Sequence, residues 1–281
     1  MDLGSQGIRF VRMQKSQTDG SCRIVHWSFS GEMKVPVLRD FLKSNSLLGA
    51  SVACNVDETS LKIRKVEVPR MPEADLKEAV RWLMRDACEG PVADHLIRHS
   101  VIEELGDSKK LSLLVYAIPK GVVKAQTDFL KSLSLNPVLV EPSAVSLVAL
   151  FDRLKGWKPG EFYGLIDFNG TKAVFLVMSE GKLYFSRALP EISGKDSPSF
   201  LTQFVVETQR SIDAFSVAFR KEGIGRLFLC GDDAGLTGLT DHLTKNLAVP
   251  TSILDPSEKF QMEAKPPHLY DIALGLALYG N

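Results

Sequence analysis

Two short stretches carry the residues best suited to chemistry. Asp2-Leu3-Gly4-Ser5 precedes the strand-forming Ile8 to Val11, and Asp167-Phe168-Asn169-Gly170-Thr171 precedes Ala173 to Met178. Each sets a carboxylate and a small-residue turn between hairpin strands. Backbone N–H groups of such turns can cradle phosphates, and two carboxylates can organise Mg²⁺ through water. Either stretch alone reads as an ordinary Asp/Gly hairpin turn. Two of them at equivalent points of the chain point to a duplicated lobe, with the turns facing each other across a nucleotide cleft.

The other candidates are weaker. His95 and His99 stand four apart, which on a helix would share a face for a metal. Leu96, Ile97, Ser100 and Val101 favour a strand there instead, and no third ligand is evident. Asp232-Asp233 reads as a pair of solvated loop acids, and Lys109-Lys110 and Lys155 as surface charge. Cys22, Cys54, Cys88 and Cys230 are scattered, as reduced and mostly buried thiols are. Nothing marks a nucleophile elbow.

The elements that must hold these residues follow from pattern. Apolar spacing predicts helices over Val37 to Leu42, Ala74 to Ala87, Val122 to Leu133, Ser143 to Leu154, Phe200 to Phe219, Leu239 to Leu247 and Asp271 to Leu278. The last, rich in Ala, Gly and Leu, suits close packing on a sheet. Strands are expected at Cys22 to Phe29, Ser51 to Val56, Leu61 to Val68, Ile97 to Leu105, Leu111 to Ile118, Val138 to Val140, Gly164 to Asp167, Leu183 to Leu189 and Arg226 to Leu229. Asp57-Glu58-Thr59 would join the second and third of these, Gly31-Glu32 and Glu180-Gly181 would tip hairpins, and Phe168 to Thr171 would be a turn. Gly156 to Gly160 reads as a loop between lobes.

The 281 residues suffice for two domains with cores. Thirty-four basic residues balance 34 acidic ones, which disfavours nucleic acid as the main partner. No apolar run reaches the ~18–20 residues of a membrane helix, and the start, Met1 to Ser5, has no signal-peptide character. A cytoplasmic protein is expected.

These residues resemble the actin-like ATPase superfamily, and within it the type IV pilus assembly family PilM and the cell-division protein FtsA. Asp2-x-Gly4-Ser5-x-x-Ile8-Arg9 looks like the first phosphate loop, and Val140-Glu141-Pro142-Ser143-Ala144 like the first connecting segment. Asp167 to Thr171 sits where the second phosphate loop belongs, and Leu229-Cys230-Gly231 with Gly238-Leu239 where the adenosine loop belongs. The PilM resemblance is carried by Val68-Pro69-Arg70-Met71-Pro72 with Leu76, Ala79-Val80 and Trp82, and by Pro119-Lys120-x-Val122-Val123 with Leu133-x-Leu135-x-Pro137. Glu207-x-Gln209-Arg210-Ser211-Ile212-Asp213-x-Phe215, Asp255-Pro256 and Ala273 to Ala277 complete it.

The resemblance implies an α/β, two-lobed actin-like (ribonuclease H-like) fold: a first lobe over 1–155 with an inserted α+β subdomain at about 36–110, and a second lobe over 156–281. It implies a scaffold on the inner-membrane platform of a pilus or secretion system, tethered through the N-terminal peptide of a PilN-like membrane protein. Self-association is left open. Any ATP and Mg²⁺ would be lined by Asp2, Gly4, Ser5, Asp167, Gly170, Thr171 and Gly231. Asp2 and Asp167 would then hold the metal through water, with Glu141 near that water and, in an active enzyme, catalytic.

The chain also departs from the pattern. Only Met1 precedes Asp2, where the family has a strand; Asn169 replaces a glycine; Gly231-Asp232-Asp233-Ala234 replaces Gly-Gly-Gly-Ala; and Cys88 to Val92 replaces Ile-Pro-Phe. These departures weigh against hydrolysis and leave nucleotide binding open. The rival readings are an active ATPase or small-molecule kinase of the superfamily, and a type II secretion or mannose-sensitive pilus component that has lost nucleotide.

Overall fold

The structure, a computed structural model, describes residues 1–4, 7–15, 22–31, 34–56, 60–105, 109–192, 194–195, 197, 199–260 and 270–279. The turn expected at Asp57 to Thr59, and the residues Ser5 and Glu32, lie outside them. The chain divides into two compact units, Met1–Arg9 with Phe29–Ser143, and Phe10–Ser28 with Ala144–Asn281. Strands β2 (Gly7–Lys15) and β3 (Cys22–Ser30) each carry the chain across that division. No helix among the described residues is long and apolar enough to cross a membrane.

In the first unit, β1 (Asp2–Gly4) pairs antiparallel with the start of β2, setting Asp2 opposite Arg9. Helix α1 (Val35–Ser44) has proline in its first turn, where the missing N–H costs nothing, and buries Leu38 and Leu42 one turn apart. Strand β4 (Ser51–Val56) pairs in parallel with β8 (Asn136–Pro142).

Strands β5 (Lys62–Pro69), β6 (His95–Leu105) and β7 (Lys110–Pro119) form a separate antiparallel sheet in the order β5-β7-β6. Strands β4 and β5, neighbours in sequence, thus lie in different sheets. Each found a partner distant in sequence, which no local pattern encodes. β7, the near-continuous apolar run, takes the centre, as burial on both faces requires. Helix α2 (Glu73–Met84) lays Leu76, Val80 and Met84 on Val66, Val68, Leu113 and Val115 of this sheet. Glu73 and Asp75 complement its N-terminal dipole. Helix α3 (Lys120–Ser132) returns the chain to β8.

The second unit holds a five-stranded sheet in the order β11-β10-β9-β12-β13. β9 (Tyr163–Asn169), β10 (Lys172–Ser179) and β11 (Lys182–Ala188) are an antiparallel meander, while β12 (Arg226–Cys230) and β13 (Thr251–Ile253) continue parallel to β9. Helices α5 (Phe200–Phe219) and α6 (Leu239–Leu247) are the crossovers that such parallel neighbours need. α5 is amphipathic through aromatic spacing: Phe200, Phe204, Thr208, Ser211, Phe215 and Phe219 are buried. Phe168 of β9 packs on Phe204 at 5.0 Å between ring centroids. Helices α4 (Ser143–Lys155) and α7 (Asp271–Ala277) meet closely, since a Cβ on Gly275 would lie 2.0 Å from the Ser146 carbonyl oxygen. The tight approach expected against a sheet is seen here against a helix.

Candidate functional site

The two acidic turns share a register. Asp2 lies opposite Arg9, and Asp167 opposite Val174, so in each hairpin the acid faces the residue seven further on. The turn expected over Phe168 to Thr171 is narrower, because β9 runs through Asn169 and only Gly170 and Thr171 make the bend.

In the first unit Asp2 is buried and fully engaged. Arg9 Nη1 donates to its Oδ2 at 3.1 Å, and Asn55 Nδ2 donates to its Oδ1 at 2.8 Å. Asn55, itself buried on β4, also accepts from the Leu3 N–H at 2.7 Å and donates to Ser143 Oγ at 3.1 Å. It sits opposite Glu141 in the β4–β8 register, so one amide joins the acidic turn to the Glu141-Pro142-Ser143 segment. Burial raises the Asp2 carboxyl above its ordinary range, against the pull of the Arg9 charge. Gly4 is required for a steric reason: a Cβ there would lie 2.3 Å from Arg9 Nη1. The guanidinium therefore fills the space beside Gly4 and supplies a positive charge to Asp2. Ser5 lies outside the described residues.

In the second unit the site lies at the carboxyl ends of parallel β9 and β12, the usual place for ligands in such sheets. Cys230 and Asp167 are register partners there. Asn169 Nδ2 donates to Asp167 Oδ1 at 2.8 Å, and Asn169 Oδ1 accepts the Asp232 N–H at 2.9 Å. The Asp233 N–H donates to the Phe168 carbonyl at 3.0 Å. Gly231 has φ 89°, and a Cβ there would meet the Phe168 carbonyl oxygen at 2.6 Å, so both handedness and space demand glycine.

The donors of this turn are already taken. The Gly170 N–H donates to Asp233 Oδ2 at 2.6 Å, and Thr171 Oγ1 donates to Glu191. Lys195 Nζ pairs with the same Asp233 oxygen at 2.5 Å. Asp233 is thus not the solvated acid that its loop position predicts; it stands on the backbone donor of the turn. Lys155, expected as plain surface charge, is likewise paired, with Glu258 at 2.5 Å.

Beneath lies Asp271, at the start of α7 and 2% exposed. Its Oδ2 accepts the Gly231 N–H at 3.5 Å, while its Oδ1 has no hydrogen-bond partner among the described residues. Burial, then the nearby Asp167, push its carboxyl well above the usual range. Burial likewise keeps Cys230 a thiol, with Asp167 and Asp271 adding to the effect.

His95 and His99 are on β6, where residues four apart stand roughly 13 Å from each other. His95 Nδ1 contacts the Pro91 carbonyl at 3.1 Å. No cluster able to hold a metal is found among the described residues. In the first unit a cation sits on Asp2, and in the second a carboxylate sits on the Gly170 N–H.

Sequence reasoning missed Asn55, Lys195 and Asp271 as parts of these turns, and placed Arg9 in the first motif without its role as the partner of Asp2. Arg9 alone left a signal, as a charge between the strand formers Ile8 and Phe10 at hairpin distance from an acid.

The fold is mixed α/β. A sequence-family model described as type IV pilus assembly protein PilM matches residues 197–280. The chain superposes on a structure described as the PilM-PilN type IV pilus biogenesis complex with TM-score 0.83 and 18% identity, covering 99% of this chain and 97% of that one. The cytoplasmic domain of EpsL from Vibrio cholerae, an inner-membrane component of the type II secretion system, matches at TM-score 0.49 and 13% identity, over 98% of this chain and 96% of that one. A Bacteroides thetaiotaomicron protein described as having an actin-like ATPase fold and unknown function matches at 0.48 and 10%, over 90% and 88%. Both of these likenesses are too loose to argue from. No curated protein sequence matches the chain. Residues 197–280 carry that family's sequence pattern, and the chain's fold is the one seen in the PilM-PilN structure.

Proposed function

We propose that this protein is an actin-like docking platform of a type IV pilus or related secretion assembly. It would act in the cytoplasm, tethered to the inner membrane by the N-terminal segment of a PilN-like membrane protein. The observation that carries the reading is the family match over residues 197–280 together with a whole-chain fold likeness to the PilM-PilN structure.

Docking, rather than turnover, is the role that the turns favour. Asp2, Asp167, Gly170 and Thr171 already have partners within the chain, and no step of hydrolysis can be assigned to them. Asp2, Gly4, Asp167, Gly170, Thr171 and Gly231 would then be a remnant whose partners lie within the two units. An extended peptide would suit the exposed edges of β5 and β6, each of which pairs only with β7 among the described strands, by strand addition.

Size-exclusion chromatography of the chain with a labelled peptide from the partner's cytoplasmic N-terminus tests this. Co-elution in the absence of nucleotide is expected. A peptide that elutes free at all concentrations would sink the docking reading.

A further inference from the structure

We propose that the outer face of α5 is a self-complementary surface on which a second copy of this chain docks antiparallel. α5 turns Phe204, Thr208, Ser211, Phe215 and Phe219 inward. Along its opposite, exposed side run Val206, Arg210, Asp213 and Val217, spaced four, three and four apart. At about 3.6 residues per turn these four stay within a stripe roughly 60° wide. The spacing is that of the seam positions of a coiled coil. Val217 is 80% exposed and Val206 42%. A lone exposed valine would mean nothing; the order of the four carries the inference.

The stripe reads the same from either end. Two copies of α5 laid antiparallel, with a two-fold axis at the level of Ser211 and Ile212, set Val206 against Val217 of the second copy and Arg210 against its Asp213. Each contact then occurs twice, as an isologous interface requires. A parallel pair would instead set Arg210 on Arg210 and Asp213 on Asp213, so the charge order selects the antiparallel one.

Within one copy both charges are free to exchange partners. Arg210 pairs with Glu207 at 2.5 Å through a side chain that stays 63% exposed. Glu207 also faces Arg187 at 3.9 Å, so it keeps a cation when Arg210 turns to a second copy. Asp213 accepts only a neutral amide, Gln209 Nε2, at 2.7 Å. Helix α5 has 20 residues and is about 30 Å long. One such pair buries less than the roughly 800 Å² per partner of a standard interface, so the dimer is weak and concentration-dependent. The inference stands apart from the docking reading, because its test uses no partner peptide.

Sedimentation velocity on the full-length chain, from micromolar to near-millimolar concentration, reads the association. Wild type, R210D, D213R and the charge-swapped R210D/D213R are compared, with far-UV circular dichroism to confirm folding. Wild type is expected to dimerise as concentration rises. Each single variant sets like charges opposite one another and should dimerise at least about tenfold more weakly. The double variant restores opposite charges and should recover most of the wild-type affinity. A wild type that stays monomeric throughout would overturn the proposal and leave the stripe to another protein. So would dimers that the single variants do not weaken, or a folded double variant as weak as the singles. Should a charge variant fail to fold, V217K takes its place; it sets an ammonium against Val206 of the second copy, and an unweakened dimer would overturn the proposal equally.

Discussion

Replacing Arg9 with methionine tests the first turn directly. Arg9 is 6% exposed and Asp2 2%, and the pair is joined at 3.1 Å with Asn55 completing the carboxylate. Removing one partner of a buried ion pair leaves an uncompensated charge and costs about 3–5 kcal/mol. The buried carboxyl has one escape, which is to take up a proton. Burial already holds it above its ordinary range with Arg9 present, and losing Arg9 pushes it further in the same direction.

R9M should therefore fall at the lower end, about 3 kcal/mol at neutral pH. The pH dependence has a definite sign. A carboxyl whose folded-state pKa lies above its unfolded value contributes stability below the unfolded pKa, and that contribution is lost as pH rises through the folded pKa. The deficit of R9M against wild type should be small near the unfolded carboxyl pKa and grow toward neutrality. Urea unfolding across that range measures it, and R9M/D2N should recover most of the loss. A deficit that does not vary with pH, or one of less than about 1 kcal/mol at neutral pH, would refute the reasoning.

Three further expectations concern the second unit. G275A sets two effects against each other: helix propensity favours alanine by about 1 kcal/mol, but the new Cβ would lie 2.0 Å from the Ser146 carbonyl oxygen, a backbone atom that cannot step aside. Sterics should win, with a net loss of about 1–3 kcal/mol and a lower melting temperature; a stabilised variant would disprove the close contact. D271N should stabilise the fold at neutral and higher pH, because Asp271 has a raised folded-state pKa and its contribution fades as pH rises; the variant should flatten the stability–pH curve, and an unchanged slope would count against a buried neutral acid. G231A should lose about 1–2 kcal/mol from the left-handed backbone alone, in addition to the clash at 2.6 Å with the Phe168 carbonyl, read as a fall in urea midpoint; a neutral result would contradict the loop geometry.

Much of the fold was legible because its signals are local. α5 and α6 were bounded at Phe200–Phe219 and Leu239–Leu247 by apolar spacing alone, and the central place of β7 followed from its continuous apolar run. Strand partnership was not legible. β4 and β5 are near in sequence, yet β4 pairs with β8 and β5 with β7, choices set by long-range packing. The site divided in the same way. The acids and glycines of the two turns stood out by type, but their occupants did not. Arg9 and Asp233 could be seen as residues; that one neutralises Asp2 and the other covers Gly170 depends on hairpin register and on a loop fold. Asp271, an acid at the first position of a helix, looks the same in sequence whether it is solvated or buried.

The central claim is that the actin-like fold serves here as a platform that needs no nucleotide. Calorimetric titration of the partner's cytoplasmic N-terminal peptide, with and without saturating MgATP, addresses it most directly. The account predicts the same dissociation constant in both and no heat from MgATP alone. Peptide binding that appears only with MgATP would contradict it.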